Sequence, residues 1–122
     1  MKKITKLSEK MTKTRPMIDE SREMGYFRCD FDGCMWHNTV WPVNNDNFTR
    51  ELAAEFDEVL DAFRRAFKDI RTMRKWCVEN AQQAEDYDTF YAYYEGKLGT
   101  YWFRMITRRG DYNLYLHCYN KM

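Results

Sequence analysis

The chain has 122 residues, of which 44% are hydrophobic and 32% are charged, and its formal net charge is +1. This length predicts one domain with a real hydrophobic core, and this composition excludes wholesale disorder. A near-neutral charge supplies no global field that would draw the protein to nucleic acid or an anionic membrane, and no apolar run is long enough for a transmembrane helix.

The N-terminal segment, residues 1–24, carries basic side chains but lacks the apolar stretch of a secretory signal, so we expect a cytoplasmic protein. Apolar residues at helical spacing predict two short helices here, the second beginning near Thr14 and Pro16 and ending at Gly25. Mixed charges and thin apolar content indicate that the segment is partly mobile. A single α+β domain is then expected over residues 25–122.

Residues 26–41 are predicted to form a β-hairpin around Asp32-Gly33, a dipeptide typical of type I′ turns. Alternation along the two strands sorts their side chains onto two faces. The face that better suits a core carries Phe27, Cys29, Phe31, Cys34, Trp36 and Val40. The other face carries Tyr26, Arg28, Asp30, Met35, His37, Thr39 and Trp41.

A long helix is predicted over residues 48–80, because apolar residues between Leu52 and Cys77 recur at alternating spacings of four and three, and no Gly or Pro interrupts them. Such a helix would be roughly 50 Å long, which exceeds the width of the domain, so it must kink or overhang. An overhang would be available to a partner, including a second copy in a homodimer. Bulky Phe56 and Phe63 in the stripe argue against a two-stranded coiled coil.

The C-terminal part predicts a short strand over residues 90–94 and a second hairpin, with strands over residues 100–107 and 112–119. One side of this hairpin would carry Phe103, Met105, Leu114, Leu116 and Cys118. The other side would carry Trp102, Arg104, Ile106, Tyr115, His117 and Tyr119. The element order (α)ββαβββ predicts an α+β fold, a two-layer sandwich in which a mostly antiparallel sheet packs on one long helix.

The cysteines and histidines raise the question of a metal or catalytic site. Cys29, Cys34 and His37 have a spacing that could bind zinc, but His37 is expected on the opposite face from both cysteines. Adjacent strand residues also point apart, so His117 is not placed to activate Cys118 as a nucleophile. We therefore expect reduced thiols in the core, no cofactor and no enzymatic activity. A small cysteine- or metal-dependent enzyme is the most distant alternative.

Aromatic residues are concentrated near the C-terminus, where eleven of the 33 residues from Tyr87 to Tyr119 are Phe, Tyr or Trp. One small core cannot hold them all, so some must lie on the surface. Aromatic side chains interleaved with Arg and His are typical of protein hot spots and of single-strand nucleic-acid platforms. Alternatively, the N-terminal helices cover this face. The candidate partner-binding residues on it are Trp102, Arg104, Tyr115, His117, Tyr119, Arg28, His37 and Trp41.

The predicted long helix is acidic in its first half and basic in its second, where Arg71, Arg74 and Lys75 form another candidate surface. The same distribution suits the helix macrodipole. We expect a small binding protein that acts on a protein partner as a regulator, adaptor or inhibitor. This class includes host-defence antagonists of phages and mobile elements. Assigning the chain to that group rests on association and not on a physical feature of the sequence. Single-stranded nucleic-acid binding is the alternative function.

Overall fold

The computed structural model describes residues 3–30, 41–84, 86–109 and 112–121. Within these ranges the α-helices are α1 (Leu7–Lys10), α2 (Arg50–Ala66) and α3 (Ile70–Asn80). The strands are β1 (Glu23–Cys29), β2 (Trp41–Pro42), β3 (Gln82–Gln83), β4 (Thr89–Glu95), β5 (Gly99–Ile106) and β6 (Leu114–Asn120). A short 3-10 helix spans Glu20–Arg22. No helix in the described ranges is both long and apolar enough to cross a bilayer.

All six strands form one antiparallel sheet in the order β2-β1-β6-β5-β4-β3, and α2 and α3 cover one face of it. The ring of Phe63 on α2 stacks on Phe103 of β5 with centroids 5.7 Å apart. On α3, the sulfur of Cys77 lies 3.7 Å from that of Met105. The prediction of an α+β fold with a mostly antiparallel sheet packed on helix is therefore confirmed.

Alternation sorts the strand residues as predicted, since burial of apolar area drives one set against the helices. Phe27 and Cys29 of β1 are buried on the helical side, as are Phe103, Leu114 and Leu116 of the second hairpin. Part of the first hairpin lies outside the described residues, namely Phe31, Asp32, Gly33, Cys34, Met35, Trp36, His37, Thr39 and Val40.

The pairing of β1 with β2 differs by two residues from the one that the Asp32-Gly33 turn predicts. Tyr26 lies opposite Trp41 in the structure, whereas continuous pairing from that turn would place it opposite Thr39. A shift of two residues leaves every side chain on its predicted face, because the side-chain period of a strand is two.

The predicted long helix is divided into α2 and α3 and does not overhang as one rod. Asp69 caps α3 by accepting a hydrogen bond from the Thr72 backbone N–H at 2.7 Å, and this bond lowers the pKa of Asp69. Phe67 leaves helical geometry with φ −128° yet keeps its ring buried. The apolar stripe thus remains against the sheet on both sides of the break, and it is buried within the one chain.

The N-terminal residues run along the helical layer and then change layers. The Ile4 carbonyl accepts a hydrogen bond of 2.8 Å from Arg65, and Leu7 is buried beside α2. Thr12 and Tyr93 then exchange two backbone hydrogen bonds of 2.8 Å at the edge of β4.

Residues 12–22, which we call the strap, lead from this edge across the other face of the sheet to β1. The strap contains the short 3-10 helix in place of the second predicted helix.

A buried carboxylate joins α2 to the connection between β4 and β5. Glu55 is 3% exposed and accepts hydrogen bonds from the backbone N–H groups of Leu98 and Gly99, each at 3.0 Å, and from the Tyr101 hydroxyl at 2.8 Å. A Cβ on residue 96 would lie 2.4 Å from a Glu55 oxygen, so only Gly96 lets the backbone pass this close. Three donors satisfy the carboxylate, which makes its burial tolerable.

We predict that Glu55→Gln destabilises the fold by about 1–3 kcal/mol, because the amide NH₂ would face a backbone donor and leave it unsatisfied. Urea denaturation followed by circular dichroism measures the loss. Glu79→Gln is the matched control, since Glu79 is exposed on α3 and should change stability little. Equal midpoints for both variants would show that the Glu55 hydrogen bonds contribute nothing to the fold.

Candidate functional site

The sheet face opposite α2 and α3, which we call the outer face, arranges its side chains in two rows that run across the strands. Residues in register on neighbouring antiparallel strands lie side by side, which creates such rows. The aromatic row consists of Trp41, Tyr26, His117, Trp102 and Tyr93. The Arg–Tyr row consists of Arg28, Tyr115, Arg104 and Tyr91.

The aromatic row is a continuous series of rings from β2 to β4. Its four consecutive centroid distances are 5.6, 5.7, 5.7 and 6.2 Å, with interplanar angles between 17° and 40°. Ring faces are therefore turned toward one another, and few of them are open to a ligand. His117 is also held in place by a hydrogen bond between its Nδ1 and the Glu23 carboxylate.

The strap closes one end of the outer face. The Arg15 guanidinium carbon lies 4.8 Å from the centre of the Trp102 ring, and Arg15 pairs with Glu20 at 3.4 Å. Tyr93 and Tyr119 are 4% and 3% exposed at this end. The sequence alternative in which the N-terminal segment covers the outer face therefore holds for this end, and an extended strap provides the cover.

The Arg–Tyr row is the open part of the outer face. The guanidinium carbon of Arg104 lies 4.4 Å from the Tyr115 ring centre, and that of Arg28 lies 4.6 Å from the Tyr112 ring centre. The two tyrosine rings meet edge to face at 6.0 Å. Within the described residues, neither Arg28 nor Arg104 has a carboxylate partner. A guanidinium stacked on a ring keeps its N–H edge available for an acceptor.

A cavity of about 270 Å³ lies at the Arg104 end of this row. It is lined by Ala84, Asp86, Thr89, Tyr91, Arg104, Ile106 and Arg108. The Asp86 carboxylate is already engaged, because it accepts hydrogen bonds from the Asp88 N–H and the Thr89 hydroxyl, which lower its pKa, and it pairs with Arg108 at 3.5 Å. Among the described residues, Asp86 therefore pairs with Arg108 and not with Arg104.

The second candidate surface lies on the other side of the molecule, on α3. Arg74 donates to Asp88 at 2.8 Å and to Thr107 at 2.7 Å, so its guanidinium links α3 to the sheet. Arg71 and Lys75 are exposed. The structure thus separates these three basic residues from the outer face.

Six of the eight predicted outer-face residues lie in the two rows: Arg28, Trp41, Trp102, Arg104, Tyr115 and His117. Tyr119 is buried near the strap, and His37 lies outside the described residues. Four further residues of the site were not predicted from the sequence, namely Tyr91, Tyr93, Tyr112 and Arg15. Tyr91 and Tyr93 could have been predicted, because alternation along one strand places both on the same face. No local pattern points to Arg15.

The cysteines have different states. Cys77 and Cys118 are free thiols, and burial raises the pKa of each to about 12. Cys29 is disulfide-bonded, so the expectation of four reduced thiols is wrong at this residue. Among the residues that the structure describes, no three His, Cys, Asp or Glu side chains converge as metal ligands. Cys34, the second zinc candidate, lies outside them.

No protein-family model, no curated protein and no solved structure matches this chain. The geometry and charge of the outer face are therefore the basis for a functional proposal.

We predict that Arg15→Ala frees the strap from Trp102 and costs about 0.5–1 kcal/mol, the usual size of an exposed cation–π contact. The Trp102 indole N–H resonance should shift in NMR spectra, and the Thr12 amide should exchange faster with solvent. Lys13→Ala is the control, because Lys13 is exposed in the same strap. An unchanged indole resonance in Arg15→Ala would contradict this contact.

We predict that Cys77 and Cys118 resist alkylation in the folded protein. With a thiol pKa near 12, only about one molecule in 10⁴ carries the reactive thiolate at pH 8, and burial also blocks the reagent. Iodoacetamide labelling followed by peptide mass spectrometry should show modification at least about 100-fold slower than in denaturant. Rapid labelling of either residue under native conditions would contradict the burial described above.

Proposed function

We propose that this protein is a small non-enzymatic binding protein that engages a protein partner through the Arg–Tyr row and the open part of the aromatic row. One observation carries the proposal: Arg28 and Arg104 each stack on a tyrosine and have no carboxylate partner among the described residues. Arginine and tyrosine supply much of the binding energy at protein interfaces. A regulator, adaptor or inhibitor in the cytoplasm would use such a surface.

The exposed side chains around this row strengthen the proposal. Tyr112 is 38% exposed and contacts Arg28, and Trp41 is 48% exposed at the β2 end of the aromatic row. Large amphipathic rings that remain in water are suited to bury area on association at a low entropy cost. Cross-strand stacking already orders these rings, so less side-chain entropy is lost on binding.

Single-stranded nucleic-acid binding is the second candidate, favoured by the row of rings and the arginines on an open sheet. Two observations rank it lower. The net charge of the chain is only +1, which gives little long-range attraction for phosphates. The best stacking surface, Trp102, is occupied on its ring by Arg15.

We predict that a tagged protein captures a protein from a lysate of the cells that produce it, and that Arg28→Glu with Arg104→Glu abolishes the capture by reversing the charge of the row. The matched control is Arg71→Glu with Lys75→Glu, which reverses two exposed charges on α3. Circular dichroism and thermal melting confirm that each variant is folded, and capture is analysed with and without nuclease.

Three results would contradict the proposal. If only the α3 variant fails to capture the partner, the functional surface lies on the helical layer instead. Capture that disappears with nuclease would favour the nucleic-acid alternative. Capture unaffected by the outer-face variant would remove the role of Arg28 and Arg104.

A further inference from the structure

Arg28 and Arg104, which have no carboxylate partner among the described residues, lie on strands two positions apart in the sheet. Arg28 on β1 and Arg104 on β5 lie on either side of β6, and Tyr115 stands between them in register. Because neighbouring strands lie about 4.8 Å apart, the two backbones are separated by about 10 Å across the sheet. The Arg104 guanidinium contacts the ring of Tyr115, and the Arg28 guanidinium contacts the ring of Tyr112. The surface therefore has two cationic ends and an aromatic centre.

The row is complementary to two negative charges on a partner. Each guanidinium is oriented by a ring, which leaves planar N–H donors for a bidentate bond to a carboxylate. Asp86, which lines the same cavity as Arg104, already accepts two hydrogen bonds and pairs with Arg108. The cavity of about 270 Å³ makes the Arg104 end concave, so an acidic side chain has room to enter there.

The spacing between β1 and β5 favours one kind of protein segment as the occupant. Residues seven apart on one face of an α-helix are about 10.5 Å apart along its axis, close to the separation of the two strands. In an extended segment, residues on one side are about 7 Å apart at i,i+2 or about 13 Å apart at i,i+4, and neither matches. The rise of one helical turn is also close to the spacing between neighbouring strands, so a helix lying along the row meets about one strand per turn.

We propose that the Arg–Tyr row is a docking site for an amphipathic α-helix of the partner, which lies across the strands and presents two acidic side chains seven residues apart. An apolar or aromatic side chain between the two acids packs on Tyr112 and Tyr115. This inference rests on the proposed function and specifies the chemistry of the partner at that same surface.

Two designed helical peptides of identical composition and net charge test the inference. The first peptide carries Glu residues at i and i+7 and Leu residues at i+3 and i+4. The second exchanges the residues at i+4 and i+7, so its Glu residues lie at i and i+4. Peptide affinity is measured by NMR titration against the full chain, and a 20-nucleotide oligo-dT is titrated in parallel. We expect the i,i+7 peptide to bind at least about tenfold more tightly than the i,i+4 peptide.

Variants of the protein assign the binding to the row. Arg28→Lys with Arg104→Lys keeps the charge but removes the planar fork, so it should weaken the i,i+7 peptide and erase the preference between peptides. Arg28→Glu with Arg104→Glu should abolish binding, whereas Arg71→Glu with Lys75→Glu should leave it unchanged.

Equal affinity for both peptides would overturn the inference, because the surface would then respond to net charge alone. Tighter binding of oligo-dT than of either peptide would overturn it in favour of nucleic acid. If neither peptide binds, the helix is wrong as the occupant, and the lysate capture decides separately whether the proposed function stands. A partner still lost with Arg28→Glu and Arg104→Glu would keep that function, whereas a partner retained would remove both proposals.

Discussion

The governing constraint of this fold is that the six-stranded sheet has two faces, but the described part of the chain builds a helical layer on only one of them. Successive residues of each strand therefore point into two different environments. One side chain is buried against the helices, and the next lies on the outer face. Phe103 and Leu116 are fully buried beneath α2, while Trp102 and His117, their neighbours along the chain, stay partly in contact with water. On the uncovered face, side chains are ordered by cross-strand contacts and by the strap. The stacked rings and the arginines follow from that lack of a second layer.

Much of the fold could be predicted from the sequence, because alternation in strands and a stripe in helices report directly on burial. The break at Phe67 escaped prediction, since the stripe has the same spacing whether the helix is straight or interrupted. The capping pair Asp69 and Thr72 was the local signal for it. Strand β3 has two polar, exposed residues and joins the sheet through backbone bonds alone, so its side chains carry no pattern.

The membership of the candidate site could be predicted only in part, and its arrangement could not be predicted. Parity along each strand placed Arg28, Arg104 and Tyr115 on one face, yet only the register shows that they form a single row. Register depends on contacts between distant segments, and the pairing of Tyr26 with Trp41 shows that turn chemistry alone does not set it here. The position of the strap is even more difficult to predict from the sequence, because the contact of Arg15 with Trp102 joins residues 87 positions apart. No local propensity encodes such a contact.

The treatment of the sheet margins has a consequence for how this protein behaves in concentrated solution. An exposed strand margin is a template on which another chain can add a strand, a common route to aggregation. Here β3 pairs with Phe90 and Tyr91 of β4, and Thr12 takes the hydrogen bonds of Tyr93 further along the same margin. At the opposite side of the sheet, the described part of β2 includes Pro42, which has no N–H to donate. The margin at β4 is therefore a poor template, and strand addition there is disfavoured even though the chain is rich in aromatic residues and leaves part of the outer face exposed.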